Sequence, residues 1–330
     1  MSPLDPALFP LHVICVFVFG SLFGSFFNVV IWRLPRRFSI VLPPSHCPSC
    51  GSPIRWYDNI PILSLVALDR RCRHCGLPIS LRYAAIELLT ALVFVAVFWR
   101  FGWTGATPLY LVFASLLIIG SFTDIDHWII PDSVTFGGLA VALVASLASP
   151  WLGPEYLPGN SWPHWGGGWW QGVANAALGA AVGWTVLTLI ALLGRLMAGR
   201  EAMGGGDIVL LAMFGAFLGW QGALAALLIA CFLGAFFGGT LHLSAKMRER
   251  LRGGPLPPPP ENLPEGIDAS SPEGFQRAVE HLDLHRKERR LSSHLPFGPY
   301  LCAAAMVTLL LWPQVEAMLL FFFGGPWLYR

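Results

Sequence analysis

Apolar residues run along this chain in long blocks, without the one-sided or alternating patterns of soluble elements. A helix needs about 20 predominantly apolar residues, somewhat fewer at the short end, to cross the hydrocarbon of a bilayer. Blocks of this kind occupy residues 9–32, 84–101, 106–123, 133–150, 171–195, 208–219, 221–245 and 297–313. The pattern predicts an all-α polytopic membrane protein of about eight transmembrane helices. The polar intervals divide it into a first transmembrane helix (1–33), a small four-cysteine domain (34–83) and a transmembrane core (84–245). A proline- and charge-rich insert (246–296) and a last helix with an apolar tail (297–330) complete it. The block at 9–32 has no basic stretch before it and no A-x-A site after it, and so reads as a retained span.

Composition agrees: of 330 residues, 55% are hydrophobic and 12% charged, the balance of a membrane protein rather than a soluble domain. The net charge of +2 matters less than where the charges fall. Loop 33–83 holds eight arginines and 246–296 nine basic residues, Arg195 and Arg200 flank the next basic turn, and 151–170 has no basic residue. By the positive-inside rule the basic segments, together with 124–132, face the cytoplasm, and the tryptophan-rich loop faces out. Trp162, Trp165, Trp169 and Trp170 then form an interfacial belt. The insert, with its proline run, is expected to be a disordered cytoplasmic segment, a short surface helix over Phe275–Arg290 being the alternative. The apolar tail from Val315 to Arg330 is expected at the outer interface.

Cys15, Cys231 and Cys302 stand alone in apolar blocks and read as packing residues. Cys47-Pro-Ser-Cys50 and Cys72-Arg-His-Cys75 are different: two C-x-x-C knuckles 21 residues apart can place four thiolates around one zinc, as in a zinc ribbon. Gly51 and Gly76 follow the knuckles, where such turns need positive φ. Four sulfurs close the coordination shell, so this zinc is structural, and His46 and His74 are solvated neighbours. Disulfides are the competing pattern, disfavoured on a reducing face.

Carboxylates interrupt the apolar pattern at two places. Thr123-Asp124-Ile125-Asp126-His127 ends one block shortly before Pro131-Asp132, and Gly204-Gly205-Gly206-Asp207 opens another 83 residues beyond Asp124. Acids at the ends of membrane segments are costly unless they face water, a partner or chemistry, and two of them on separate segments suit acid/base work. Each also has a plain structural role: Asp207 and Asp132 can cap helices and Pro131 can start one. Asp126-His127 lacks the further ligands a metal pair would need.

The motifs taken in order resemble the type IV prepilin peptidases, the leader peptidases and N-methyltransferases of pilus and type II secretion systems. They run from Gly24-Ser25-Phe26-Phe27-Asn28 through Trp32-Arg33-Leu34-Pro35 to the four cysteines, with Trp56-Tyr57-Asp58-Asn59-Ile60-Pro61 between the knuckles. Arg82-Tyr83, Glu87-Leu88-Leu89-Thr90, the two aspartate motifs, Phe214-Gly215, Leu218-Gly219-Trp220 and Pro296-Phe297-Gly298-Pro299-Tyr300 follow. The resemblance implies an intramembrane aspartic protease of the G-x-G-D type with Asp124 and Asp207 catalytic, supported by Gly204, Gly206, Asp126 and Pro131. It implies prepilin and pseudopilin substrates cut after a glycine between a basic leader and an apolar helix. It also implies methylation of the new N-terminus with S-adenosylmethionine, for which Asn28 and the cysteine domain are candidates. The setting it implies is a bacterial inner membrane, with the lipid bilayer as partner, the site on the cytoplasmic side and no nucleic acid. Many relatives have lysine two residues after the second aspartate, where Val209 stands here. A transporter using the same acids as ion sites would need them near mid-bilayer in related halves, and an inactive scaffold would not need both.

Overall fold

The computed structural model describes residues 8–47, 50–152, 168–198, 204–240 and 296–323. The insert at 246–295 with its Phe275–Arg290 segment, Trp162, Trp165 and the tail beyond residue 323 lie outside the described residues. Among the described residues the chain is helical, with no strand. It comprises α1 (Phe9–Arg33), α2 (Leu63–Ala67), α3 (Leu81–Phe101), α4 (Ala106–His127) and α5 (Asp132–Ser146). The short α6 (Ser149–Leu152), then α7 (Trp169–Ala198), α8 (Gly205–Leu233), α9 (Gly298–Leu310) and α10 (Trp312–Phe323) follow.

Between apolar helices in lipid there is little hydrophobic driving force, so association rests on close backbone approach at small residues. Two such seams organise the bundle. On α1, Gly20 and Gly24 lie on α3: a methyl group on Gly20 would stand 2.8 Å from Ala91 Cα, and one on Gly24 only 2.6 Å from Glu87 Cα. On α7, Gly179 and Gly183 lie on α8, where methyl groups would stand 2.7 Å from the Gly215 carbonyl carbon and 2.8 Å from that of Leu211. In both seams the partner's numbers fall as the first helix's rise, so both pairs are antiparallel. Around them Tyr110, Phe113, Phe214 and Phe217 fill a fully buried core. Buried hydroxyls such as Thr90 and Thr123 donate to carbonyls one turn back, at 2.7 and 2.8 Å, as a water-free interior requires.

Among the described residues five helices are long and apolar enough to cross a membrane, or six if the bent pair α9 and α10, which meet at 100°, forms one broken span. The expected count was eight, and two features account for the difference. First, α5 has 15 residues, about 22 Å at 1.5 Å per residue, against a hydrocarbon layer of about 30 Å. Second, the predicted segments 208–219 and 221–245 are, as far as residue 240, two legs of one helical element, α8 with a π-helical turn over Gly234–Gly238, counted once although it breaks at Gly219 (φ 75°, ψ 170°), where the prediction divided them. The chain reverses at that break. Gly206 at its start lies against Ile130, which also touches Gly298, while a methyl group on Gly234 would stand 3.8 Å from the Phe297 ring. Both ends of the element therefore stand beside residues 130 and 297–298.

The ends of the bundle differ in chemistry. Arg36 at the end of α1 contacts His127 at the end of α4 at 3.2 Å, and Arg82 at the start of α3 pairs with Asp126. One end thus gathers the last turns of α1 and α4 with the first turns of α3, α5, α8 and α9. The four-cysteine segment, strung between α1 and α3, belongs to it. At the other end the Phe9 and Trp99 rings meet at 5.3 Å and those of His12 and Trp103 at 5.7 Å, with Trp151, Trp169 and Trp170 exposed nearby. Exposed tryptophans at one end of the bundle suit a membrane interface; of the predicted belt Trp169 and Trp170 are described there, with Trp99, Trp103 and Trp151 beside them.

Candidate active site and metal centre

Asp124 lies in the last turn of α4, buried to 7% exposure. The helix stops just after it because Trp128 adopts the left-handed conformation (φ 58°) with its N–H donating to the Asp124 carbonyl. Ile129 and Ile130 run on to Pro131, which precedes α5 in an extended conformation, with Asp132 exposed in the first turn. Pro131 thus starts the helix as its fixed φ suggests.

Asp207 arrives from the other seam. Gly204 occupies the N-cap of α8 and Gly205 and Gly206 its first positions, so Asp207 sits in the first turn rather than at the cap. A carboxylate there faces unpaired backbone N–H groups and the positive end of the helix dipole. Gly206 is small enough for Ile130 to pass at a virtual-methyl distance of 3.5 Å, and Gly204 leaves its face beside the Asp207 carboxylate. The two aspartates, 83 residues apart in sequence, come within electrostatic reach of each other. Asp126 is not part of that pair: it is held by Arg82, whose guanidinium lies over the Phe122 ring at 5.6 Å. Val209 is buried in α8.

Two contributors were not anticipated. The Gly298 N–H, at the start of α9, donates to the Asp124 carboxylate, and a side chain at Gly298 would overlap that carboxylate. Cys302, one turn on, is buried, hydrogen-bonded to Ser121 and within reach of both carboxylates. Of the three lone cysteines only Cys302 packs inside; Cys15 and Cys231 are exposed on the outside of the bundle, which corrects their reading as packing residues. The signal for Gly298 was Phe297-Gly298-Pro299 directly before an apolar block: proline favours a helix start there, and a glycine beside it permits a close backbone approach. Asn28 uses its amide on the backbone, donating to Gly24 O (3.2 Å) and Tyr83 O (3.1 Å), which ties α1 to α3.

The four cysteines converge. Their Sγ atoms all lie within 4.8 Å of one another, Cys47 and Cys75 at 3.9 Å, close to the roughly 3.8 Å edge of a tetrahedron with zinc–sulfur bonds of about 2.3 Å. Both knuckles use one backbone pattern. Cys47 N–H donates to Ser52 O and Gly51 N–H to Cys47 O, while Cys72 N–H donates to Leu77 O and Gly76 N–H to Cys72 O, all at 2.9 Å. Gly51 (φ 68°) and Gly76 (φ 71°) have open space where a side chain would go, so glycine is there for its backbone conformation. Hydrogen bonds from the Ser52 hydroxyl and N–H push Cys50 down to about 6, and the Cys75 and His74 N–H groups hold Cys72 below the usual thiol range. This donor set fits a thiophilic ion with a closed shell. The module is braced by Arg73, inside the second knuckle, which grips Asp58 through both carboxylate oxygens (2.6–3.1 Å) and so holds that carboxylate below its usual range. Glu87 on α3 accepts the Ile62 N–H at 2.8 Å, fastening the module to the membrane helices.

Residues 18–101 match the family described as Bacterial Peptidase A24 N-terminal domain, and residues 111–239 match the Type IV leader peptidase family. A Myxococcus xanthus protein named Prepilin leader peptidase/N-methyltransferase is 44% identical over 229 residues, 69% of this chain and 63% of its own length. Proteins of the same name from Xanthomonas campestris pv. campestris and Pseudomonas aeruginosa are 35% and 32% identical over 264 and 268 residues. Those matches cover 72% and 74% of this chain and 84% and 85% of the relatives. The match thus spans less than two thirds of the Myxococcus relative. No solved structure matches the chain.

Proposed function

We propose that this chain, which belongs to the type IV leader peptidase family, is an integral-membrane aspartic endopeptidase with Asp124 and Asp207 as its catalytic pair. Its substrates are type IV prepilins and pseudopilins, cut after the glycine that joins a basic leader to an apolar helix. The observation that carries this reading is that the Asp124 carboxylate, against Gly298 and beside Ile130, and the Gly206-Asp207 turn, packed on the same Ile130, come from separate helices to one end of the bundle. A transporter would hold its acids near mid-bilayer, whereas both here stand in terminal turns.

Two adjacent carboxylates sharing one proton supply both halves of peptide hydrolysis. The ionised member takes a proton from a water as its oxygen bonds to the scissile carbonyl carbon, while the protonated member donates to the carbonyl oxygen. Collapse of the resulting gem-diol breaks the C–N bond, and the leaving amine takes up a proton. Gly204, Gly206 and Gly298 keep side chains away from this point, so an extended substrate backbone can approach. Pro131 and the Arg82-held Asp126 fix the turn that carries Asp124.

The topology adopted is an outside N-terminus, with the end that holds the aspartates and the four-cysteine domain (34–83) on the cytoplasmic side of a bacterial inner membrane. The arginines of 33–83 and the basic insert support it. The division into a first helix (1–33), that domain, a core (84–245), an insert (246–296) and a final helix and tail (297–330) is part of the proposal. Cys47, Cys50, Cys72 and Cys75 would hold one structural zinc. Since the relatives are named N-methyltransferases as well as peptidases, we extend methylation of the new N-terminal amine to this chain, with S-adenosylmethionine supplying the methyl group.

The test is cleavage of a prepilin by purified protein, scored by mass spectrometry beside Asp124→Asn and Asp207→Asn. Only the unsubstituted protein should release the leader; near-normal cleavage by either folded variant overturns the assignment. A further methyl mass that depends on S-adenosylmethionine reports the second activity.

A further inference from the structure

Leu11, Ile14, Val18, Leu22 and Trp32 lie along one side of α1, each between 47% and 59% exposed. On a helix that crosses the membrane this stripe faces lipid. It continues past the helix. The Phe38 ring lies 6.0 Å from that of Trp32, whose other contact is the Arg36 guanidinium at 4.6 Å. Beyond Phe38 come Ile40, Val41 and Leu42, with exposures of 36%, 76% and 66%.

The loop that presents these side chains is built rather than slack. Arg33, buried to 6% exposure, donates to Ser39 O at 3.0 Å and Pro43 O at 2.8 Å. The Ser39 hydroxyl accepts the N–H groups of Val41 and Leu42 at 3.3 and 3.2 Å. The inner side of the loop is thereby satisfied, and its four apolar side chains are turned outward together. Arg36 and Arg37 stand beside them, where cationic side chains meet anionic headgroups.

We propose that Phe38–Leu42 is an interfacial membrane anchor, which inserts into the headgroup boundary as a continuation of the lipid-facing side of α1 and sets the depth of the four-cysteine domain. Continuity through Trp32 and Phe38 selects lipid over a protein partner, because the stripe it prolongs is already lipid-facing. An aromatic–arginine pair followed by aliphatic side chains is the composition of such interfacial segments. The inference is independent of the proposed peptidase activity.

The experiment places photoreactive benzoylphenylalanine at position 41, with position 18 as a lipid-facing reference, in the full chain. The protein is reconstituted in phosphatidylethanolamine–phosphatidylglycerol vesicles, with and without a prepilin, and adducts are identified by mass spectrometry. Position 38 serves as the second site should substitution at 41 prevent reconstitution. A phospholipid adduct at the loop comparable to that at position 18, unchanged by prepilin and lost or reduced in Arg33→Ala, is expected. An adduct at position 18 with none to lipid in the loop overturns the proposal, and so does a loop adduct to prepilin or to another copy of the chain in place of lipid.

Discussion

The sharpest perturbation this structure offers is Gly298→Ala. The new methyl group would overlap Asp124 Oδ2 and stand 3.0 Å from Ile130 Cδ1 and 3.2 Å from Asp124 Cγ. Ile130 is buried and held between the starts of α8 and α9, so the carboxylate is the group that must give way. Displacing it removes the hydrogen bond from the Gly298 N–H, worth about 1.5–3 kcal/mol for a bond to a carboxylate. At about 1.4 kcal/mol per tenfold in rate, kcat should fall by about 10- to 150-fold. Stability should fall as well, by about 1–3 kcal/mol for overpacking against Asp124 and Ile130, offset in part by alanine's better helix propensity, up to about 1 kcal/mol, at a position that opens α9. The assay is leader release from a prepilin under saturating substrate, with thermal unfolding of the same preparations. A kcat within about twofold of the parent, less than the smallest loss expected from one hydrogen bond, would refute the view that this backbone N–H positions Asp124.

Other substitutions separate the structural roles. Cys47→Ser or Cys72→Ser should lower bound zinc below one equivalent and speed proteolysis between the knuckles, read by metal analysis and limited trypsin digestion; unchanged stoichiometry would contradict the four-sulfur site. Gly183→Val should prise α7 from α8 at a cost of about 1–3 kcal/mol, as overpacking does, lowering the unfolding temperature in detergent, while the same change at Gly137, which has nothing within 4 Å, should leave it little altered. Arg82→Ala should slow cleavage by freeing Asp126 and loosening the turn after Asp124, and Arg82→Lys should recover part of the loss; equal activity in all three would show the ion pair to be ornamental.

What could be read in advance follows from how local each signal is. The knuckles were legible because ligand spacing, backbone turn and glycine all sit within five residues, and the folded pattern repeats in both. The helices were legible because membrane insertion demands long apolar blocks, and the two acids because charge is rare in them. The number of crossings was not, because hydropathy cannot see that α5 ends after 15 residues, whereas the turn at Gly219 falls where the predicted segments 208–219 and 221–245 divide. The seams were written as Gly20-x-x-x-Gly24 and Gly179-x-x-x-Gly183, yet the spacing alone does not say which helix each one meets. Gly298 was hidden for a different reason: its contribution is a backbone N–H, which every residue but proline carries, and only its position beside Asp124 gives it a role.

The reversal at Gly219 shows how the site can be assembled at one end. Had α8 run straight through to Gly238 it would extend about 50 Å, and Gly234 would stand far from Asp207. Instead the first leg is short, roughly 14 residues or about 21 Å as far as the break, and the second leg brings Gly234 back beside Phe297. With φ at 75° and ψ at 170°, the backbone there is one that residues with a side chain rarely adopt. Gly219→Ala should therefore cost stability even though glycine is otherwise the poorer helix former. Its effect should reach the aspartates, because Asp207 opens one leg and α9, which bonds Asp124, lies against the end of the other. Loss of leader release together with a lower unfolding temperature is the expected result; a variant that unfolds earlier yet cleaves at the parent rate would show that the reversal shapes the bundle without setting the distance between the two acids.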